Sequence, residues 1–75
     1  KLFLDAKSRF QEIAQEKMGI TPTYSVIKEW GPDHAKNFKI GVYLDKDLMA
    51  EGEGSSKQEA EEDAAKNALR EKSWE

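Results

Sequence analysis

The sequence of 75 residues contains no cysteine and a single histidine, His34. Without cysteine there can be no disulfide framework and no thiolate metal site, and one imidazole cannot form a histidine cluster around a metal. Stability must therefore come from packing, in a chain close to the smallest size that supports its own core. We expect one domain over residues 1–75, with a core at about 5–70. Because the sequence starts at Lys1 rather than at methionine, we expect a fragment of a longer chain.

Long hydrophobic runs are also missing, and Leu2-Phe3-Leu4 is too short for the apolar region of a secretory signal. We therefore expect no membrane contact and a cytoplasmic location. Positive charge is scarce, since 12 Lys and Arg residues stand against 15 Asp and Glu residues, for a net charge of −3. On average this balance disfavours a polyanionic partner, although binding depends on the charge of one surface rather than on the total.

The spacing of apolar residues predicts two helices that flank three strands. Residues 4–18 carry an apolar stripe at helical spacing, with Asp5 as the expected N-cap and Gly19 as the stop. The remaining elements are three strands of alternating pattern and a second helix with an alanine-rich buried stripe, at residues 23–30, 37–44, 48–53 and 57–72. The predicted fold class is α+β, in the order α-β-β-β-α. Short connections favour a three-stranded antiparallel sheet with both helices packed on one face.

The apolar positions are expected to form a core that needs neither ligand nor metal, so that the isolated domain folds as a monomer. This set comprises Phe10, Ile13, Tyr24, Val26, Phe38, Ile40, Val42, Ala64 and Leu69. If the Phe38 ring lies in that core, its replacement by alanine is expected to cost about 3–5 kcal/mol.

Two polar segments each have a structural and a functional interpretation. The first helix has a polar face of low charge, which suits either plain solvent exposure or contacts in a shallow groove, and this face comprises Ser8, Gln11, Glu12 and Gln15. The turn Gly31-Pro32-Asp33-His34 either only joins two strands or presents an imidazole that can donate or accept a hydrogen bond. Spacing alone favours the structural interpretation of both, and no catalytic constellation accompanies His34.

The start of the second helix poses a sharper question. Lys57 lies at the positive end of the helix dipole, where a lysine is unfavourable by about 0.3–1 kcal/mol. A bound phosphate would explain this lysine, because a helix start offers N–H groups to an anion. Ser55 and Gln58 would then add neutral hydrogen bonds. The alternative is a tolerated surface lysine that Glu61 compensates one turn later.

Acidic residues follow directly and could suggest a metal site. Ser56 and Glu59 have the spacing of a capping box, in which each side chain bonds to the other residue's backbone. Acids in the first turns of a helix are stabilising without any metal. We therefore expect no metal at Glu59, Glu61, Glu62 and Asp63.

Taken together, these pieces resemble a double-stranded RNA-binding domain, and more closely the one at the C-terminus of bacterial ribonuclease III. The resemblance extends from Asp5 to Leu69 and agrees with the α-β-β-β-α order predicted above. It rests on Gln11-Glu12 and Gln15, Thr21-Pro22-x-Tyr24, Gly31-Pro32-Asp33-His34, Phe38, Gly52-x-Gly54-x-Ser56-Lys57, Glu59-Ala60-Glu61 and Ala64-Ala65.

The resemblance implies binding of double-stranded RNA in its A-form over about 16 bp, through shape, 2′-hydroxyls and phosphates, with little sequence preference. The first helix and the 31–34 turn would each enter a minor groove, and the start of the second helix would meet phosphates across the major groove between them. The RNA-binding residues expected on this basis are Ser8, Gln11, Glu12, Gln15, Pro32, Asp33, His34, Ser55, Ser56, Lys57 and Gln58.

The resemblance also implies a parent endoribonuclease. The acidic, magnesium-binding signature of ribonuclease III is absent from the sequence, so we expect a module that binds without cutting and has no cofactor or catalytic residue of its own. Magnesium and homodimerisation would belong to the catalytic domain of the parent. Where the family usually has a second lysine, this chain has Gln58, which removes one phosphate contact. The alternative is a protein-interaction module of the same fold with weak or lost RNA binding: the acidic balance and Gln58 favour it, whereas His34 and Lys57 together favour RNA.

Overall fold

The computed structural model describes residues 5–74 and confirms the predicted order of elements. The elements are α1 (Ala6–Met18), β1 (Thr23–Trp30), β2 (Asn37–Leu44), β3 (Asp47–Gly54) and α2 (Lys57–Lys72), with one short 3-10 turn at Asp33–Ala35 before β2. The strands form an antiparallel sheet in the order β1-β2-β3. Position 4, which we assigned to the first helix, lies outside the described residues. The strand β3 begins one residue earlier and ends one residue later than predicted.

The two ends of α1 are set by different means. At its C-terminus, Gly19 adopts a left-handed conformation with φ +68° and donates its N–H to the Gln15 carbonyl, as expected of a glycine stop. At its N-terminus, the Asp5 carbonyl accepts the Arg9 N–H at 3.0 Å, so Asp5 does occupy the capping position. Its carboxylate, however, accepts from the Ser8 hydroxyl at 2.7 Å, and the predicted side-chain cap is wrong.

The core lies between the sheet and the two helices, which cover the same face of the sheet. Both α1 and α2 contribute to it, and the predicted alanine stripe of α2 is confirmed. The fully buried apolar residues are Phe10, Ala14, Ile40, Val42, Leu44, Ala60, Ala64, Ala65, Ala68 and Leu69. Beyond α2, the Trp74 ring stacks on Phe10 with 5.5 Å between ring centroids and closes the end of this core.

Four residues expected in the core are not fully buried. Ile13 and Tyr24 are partly buried and pack against it. Val26 is 38% exposed, because it lies on the edge strand β1. Phe38 lies on the same side of β2 as Ile40, but at the end of the strand, and it is only partly covered. The cost of Phe38→Ala should therefore fall below the 3–5 kcal/mol range of a fully buried ring, since part of its surface stays in water.

The helix α2 lies directly on the backbone of β3. A Cβ atom built on Gly52 would overlap the backbone nitrogen of Ala64 and lie 2.5 Å from the Ala60 carbonyl oxygen. A Cβ atom on Gly54 would lie 2.7 Å from the Ala60 nitrogen. These distances leave no room for a side chain on the strand, and the helix meets it mainly with backbone atoms of Ala60 and Ala64. Glycine on β3 and alanine on α2 therefore fix the distance between the two elements.

The free edge of β3 is occupied by side chains of α2. The Asp63 carboxylate accepts the Glu53 N–H at 3.0 Å, and the Asn67 amide donates to the Glu51 carbonyl at 2.8 Å. An outer strand otherwise presents such backbone groups to any strand that could pair with it. Two side chains one helical turn apart thus take up backbone groups on which a further strand would have to pair.

We expect Gly52→Ala to destabilise the fold by about 3 kcal/mol or more, at or above the upper end of ordinary overpacking. The added methyl group meets backbone atoms of α2, which cannot rotate away as a side chain would. Urea denaturation measures the loss. Glu51→Ala, at a neighbouring exposed position, is the control and should change stability by no more than about 1 kcal/mol. Equal stability of Gly52→Ala and wild type would contradict the close approach.

Candidate nucleic-acid interface

A groove of about 890 Å³ separates the 3-10 turn from the start of α2. It brings together five of the residues predicted to bind RNA, although more than twenty positions separate the turn from the helix start. The lining residues are Asp33, His34, Ala35, Lys36, Asn37, Phe38, Ser55, Ser56 and Lys57. Sequence reasoning missed Lys36 and Asn37 as lining residues. The signal for them was the antiparallel pairing of β2 with β3, which puts the start of one strand beside the end of the other.

The 31–34 turn is held in shape by its backbone. Gly31 has φ +98°, and a Cβ atom there would lie 2.7 Å from the Ala35 carbonyl oxygen, so only glycine fits without strain. The Pro32 carbonyl accepts the Ala35 N–H at 2.9 Å. His34 is exposed at the top of this turn. The turn therefore presents its imidazole to solvent from a fixed backbone.

Lys36 neutralises the acidic side of the groove. Its ammonium group lies 3.6 Å from the Glu29 carboxylate and 3.7 Å from that of Asp33. The Asp33 side chain is fully exposed, so this pairing is screened by water and adds little stability. Its effect is electrostatic, because the negative charges of Glu29 and Asp33 are offset by a lysine close to both.

The capping of α2 differs from the predicted box in one partner. The Ser56 hydroxyl accepts the Glu59 N–H at 3.1 Å, as predicted. The Glu59 carboxylate does not return to Ser56 but accepts both the N–H of Ser55 at 2.9 Å and its hydroxyl at 2.8 Å. The Ser55 hydroxyl is the main reason why the pKa of Glu59 lies below its usual value. The Ser55 proton is thus committed to Glu59, whereas Ser56 accepts through oxygen and still has a proton to donate outward.

Lys57 follows this cap, with its ammonium group 5.9 Å from the centroid of the Phe38 ring. The Phe38 ring at one end of β2 lines the groove, and the lysine lies over it. Glu61, which we had considered as a compensating partner of Lys57, forms an ion pair with Lys7 instead. A cation over an aromatic face is held by about 0.5–1 kcal/mol at an exposed site and keeps its full charge.

The polar face of α1 is exposed along its length and does not belong to the lining of this groove. Within the described part of the chain, two of its four predicted residues bond to neighbours: the Ser8 hydroxyl donates to Asp5, and the Gln15 amide donates to the Thr21 hydroxyl at 2.7 Å. Gln11 and Glu12 lie between them on the exposed surface. The predicted site thus divides into a helix face and a groove, with Gln58 beside the groove on the exposed start of α2.

The acids at the start of α2 all accept hydrogen bonds from this chain. Beyond Glu59, the ammonium group of Lys7 donates to the Glu61 carboxylate, and the first backbone N–H groups of α1 donate to that of Glu62. The Asp63 carboxylate accepts the backbone N–H of Glu53. Over residues 5–74, no group of three or more histidine, cysteine or acidic residues is arranged to hold a metal ion. The same residues contain no helix with the length and hydropathy to cross a membrane.

The fold and the groove define a class of protein, and comparison with known families identifies it. Residues 6–72 match the family described as "Double-stranded RNA binding motif". The chain belongs to this family.

Individual relatives narrow the comparison. The chain is 49% identical over 67 residues to Ribonuclease 3 of Moorella thermoacetica. The aligned region covers 89% of this chain and 29% of the relative. It is 43% identical over 68 residues to Ribonuclease 3 of Helicobacter pylori, covering 91% and 29% respectively. The solved structure of Dicer from Pichia stipitis superposes with a TM-score of 0.71 and 27% identity over 88% of this chain and 32% of that one. The chain thus spans less than a third of the length of these relatives.

We expect Lys57→Ala to weaken binding of duplex RNA and to reduce the slope of log affinity against log salt by about one unit, because one phosphate contact is lost. Folding stability should stay the same or rise slightly, since the lysine opposes the helix dipole. Gln58→Lys should strengthen binding and steepen the slope. Titration of a duplex of about 20 bp at several salt concentrations measures both effects.

Lys46→Ala is the matched control, since it removes the same charge from the hairpin turn at the opposite end of β2 and β3. Its salt dependence should follow that of the wild type. If Lys57→Ala changes the slope no more than Lys46→Ala does, Lys57 is an ordinary surface residue.

Proposed function

We propose that this chain is the duplex-RNA-binding module of a ribonuclease III-type endoribonuclease. The observation that carries the proposal is the groove between the 31–34 turn and the start of α2. It combines an exposed imidazole, the hydroxyl proton of Ser56 and the charged Lys57 within one concave surface. Hydrogen-bond donors at a helix start, next to a cation, suit a phosphate group.

In this proposal the two parts of the surface have different tasks. The exposed face of α1, with Ser8, Gln11, Glu12 and Gln15, meets 2′-hydroxyls and base edges in one minor groove, since uncharged amides can both donate and accept there. Pro32, Asp33 and His34 enter the next minor groove. Phosphates between the two minor grooves bind Ser56, Lys57 and Gln58, with Ser55 holding the cap in shape. Lys36, which the sequence did not single out, offsets the negative charge of Glu29 and Asp33 beside the groove.

The net charge of −3 is compatible with this partner because several acids are engaged with other groups of the chain. The carboxylates of the first two turns of α2 accept hydrogen bonds from the chain, and Lys39 lies within 3.7 Å of both Glu51 and Glu53 on the sheet. The groove itself contains two lysines, one histidine and one acid among its lining residues. A polyanion therefore meets a surface that is more positive than the chain as a whole.

The name Ribonuclease 3, which the relatives bear, supports a further proposal about the longer protein. We propose that cleavage takes place in a separate catalytic domain that binds magnesium and forms the homodimer, while residues 1–75 bind the substrate in the cytoplasm as a single monomeric domain. The alternative of a protein-interaction module is not favoured by the family match or by these relatives.

We expect duplex RNA of about 20 bp to bind better than duplex DNA of the same sequence, because the proposed contacts need 2′-hydroxyls and a wide minor groove. The loss of two hydrogen bonds of about 1 kcal/mol each corresponds to roughly 30-fold in Kd. Competition at one salt concentration measures the ratio, with single-stranded RNA of the same sequence as the control. Equal affinity for both duplexes would reduce the interaction to charge attraction and refute the proposed function.

A further inference from the structure

The first turn of α1 is capped by a residue of α2. The carboxylate of Glu62 accepts the N–H of Ala6 at 2.6 Å and the N–H of Lys7 at 3.3 Å. The first N–H groups of a helix have no partner inside the helix, and a residue just before the helix usually supplies one. Asp5 has the right position, but its carboxylate accepts from Ser8. The cap of α1 therefore comes from a residue more than fifty positions away.

The neighbouring side chain strengthens this attachment. The ammonium group of Lys7 forms an ion pair with Glu61 and lies 5.4 Å from the centroid of the Tyr24 ring on β1. Two consecutive acids of α2 thus hold the first turn of α1, one through the backbone and one through a side chain. All of these contacts are partly buried, so they are screened less than surface ion pairs.

This attachment lies between the two parts of the proposed RNA surface. Glu62 follows Lys57 by five residues on α2, which is about 7.5 Å along the helix axis. On α1, the first residue of the polar face is Ser8, directly after the two capped residues. The same short segment of α2 therefore carries the proposed phosphate contact at its start and the cap of α1 about one and a half turns later.

We propose that Glu62 is a positioning residue for RNA binding. Its carboxylate fixes the start of α1 relative to α2, so that the polar face of α1 and the groove at Lys57 meet a single duplex at the same time. When two binding elements are already held in the right geometry, no free energy is spent on ordering them as the duplex binds, and the affinity is higher for it. This inference rests on the proposed function, since it requires both elements to contact RNA.

The sign of the effect separates this role from simple electrostatics. If Glu62 were only a negative charge near a polyanion, Glu62→Ala would strengthen binding. If Glu62 positions α1, Glu62→Ala should weaken binding by about three- to tenfold, because the start of α1 must then be ordered when the duplex binds. Glu62→Gln keeps an acceptor oxygen without the charge and should retain at least the wild-type affinity. Glu71→Ala, which removes an exposed acid from the last turn of α2, is the matched control and should not weaken binding.

A double-mutant cycle tests the positioning itself. In the wild type, Gln11→Ala and Lys57→Ala should each reduce the affinity for a 20-bp RNA duplex. In the Glu62→Ala background, the Gln11→Ala penalty should fall towards one-fold, because the start of α1 is no longer held in place, while the Lys57→Ala penalty stays the same. Affinities are measured well below the melting temperature of each variant, which circular dichroism establishes. A purely structural role would lower the melting temperature and leave both penalties intact.

A second variant removes the same bond from the other side. Ala6 is the first residue of α1, a position where proline is well tolerated, and Ala6→Pro deletes the N–H that Glu62 accepts. It should show the same selective loss of the Gln11 contribution, even if Glu62→Ala does not fold.

The two levels of the proposal fail in different ways. A wild type that does not bind duplex RNA, or in which Gln11→Ala has no effect, would refute the proposed function or its α1 contact, and the inference with it. A wild type that binds, combined with a full Gln11 penalty in both Glu62→Ala and Ala6→Pro, would refute the positioning role alone.

Discussion

The approach of α2 to the backbone of β3 is the constraint on which the rest of this molecule depends. Gly52 and Gly54 have no side chains at the points where Ala60 and Ala64 pack against the strand. At this distance Asp63 and Asn67 reach the edge of β3, and the start of α2 comes to lie beside the 31–34 turn. A larger residue at any of these positions would lift the helix and separate the two walls of the groove. The small residues thus determine the shape of the groove without lining it.

The sequence predicted the elements well because their periodicities are strong and their punctuation is clear. The stripe of α2 and the glycine stop of α1 were both confirmed, since local spacing determines which face a residue occupies. Val26 and Phe38 were assigned correctly to strands, but Val26 is exposed and Phe38 is only partly covered. Alternation gives the face of a strand, but it does not say where the helices above that face end. Burial at the margins of the sheet is a property of the assembled fold.

Partners between distant segments were harder to predict for the same reason. Spacing suggested that Glu61 would pair with Lys57, four residues away, yet Glu61 pairs with Lys7. Likewise, Asp5 had the sequence signature of a cap, and Glu62 performs that task. Rules for neighbouring residues on a helix describe isolated helices, and a tertiary contact that also satisfies a backbone N–H can override them. Several residues of the groove were predictable from the sequence. That its two walls lie side by side depends on strand pairing and on the position of α2.

The covering of the free edge of β3 by Asp63 and Asn67 has a consequence for the synthesis of the chain. Asp63 and Asn67 follow β3 in the sequence, so a ribosome completes the strand before the residues that cover it. At about 5–20 residues per second, synthesis of the 16 residues of α2 takes roughly one to three seconds. During that interval the nascent hairpin of β2 and β3 carries an open edge next to apolar residues that have no helix over them. Crowding of ribosomes on one message would bring such hairpins close together, and the time needed to finish α2 then sets the period in which they can pair wrongly.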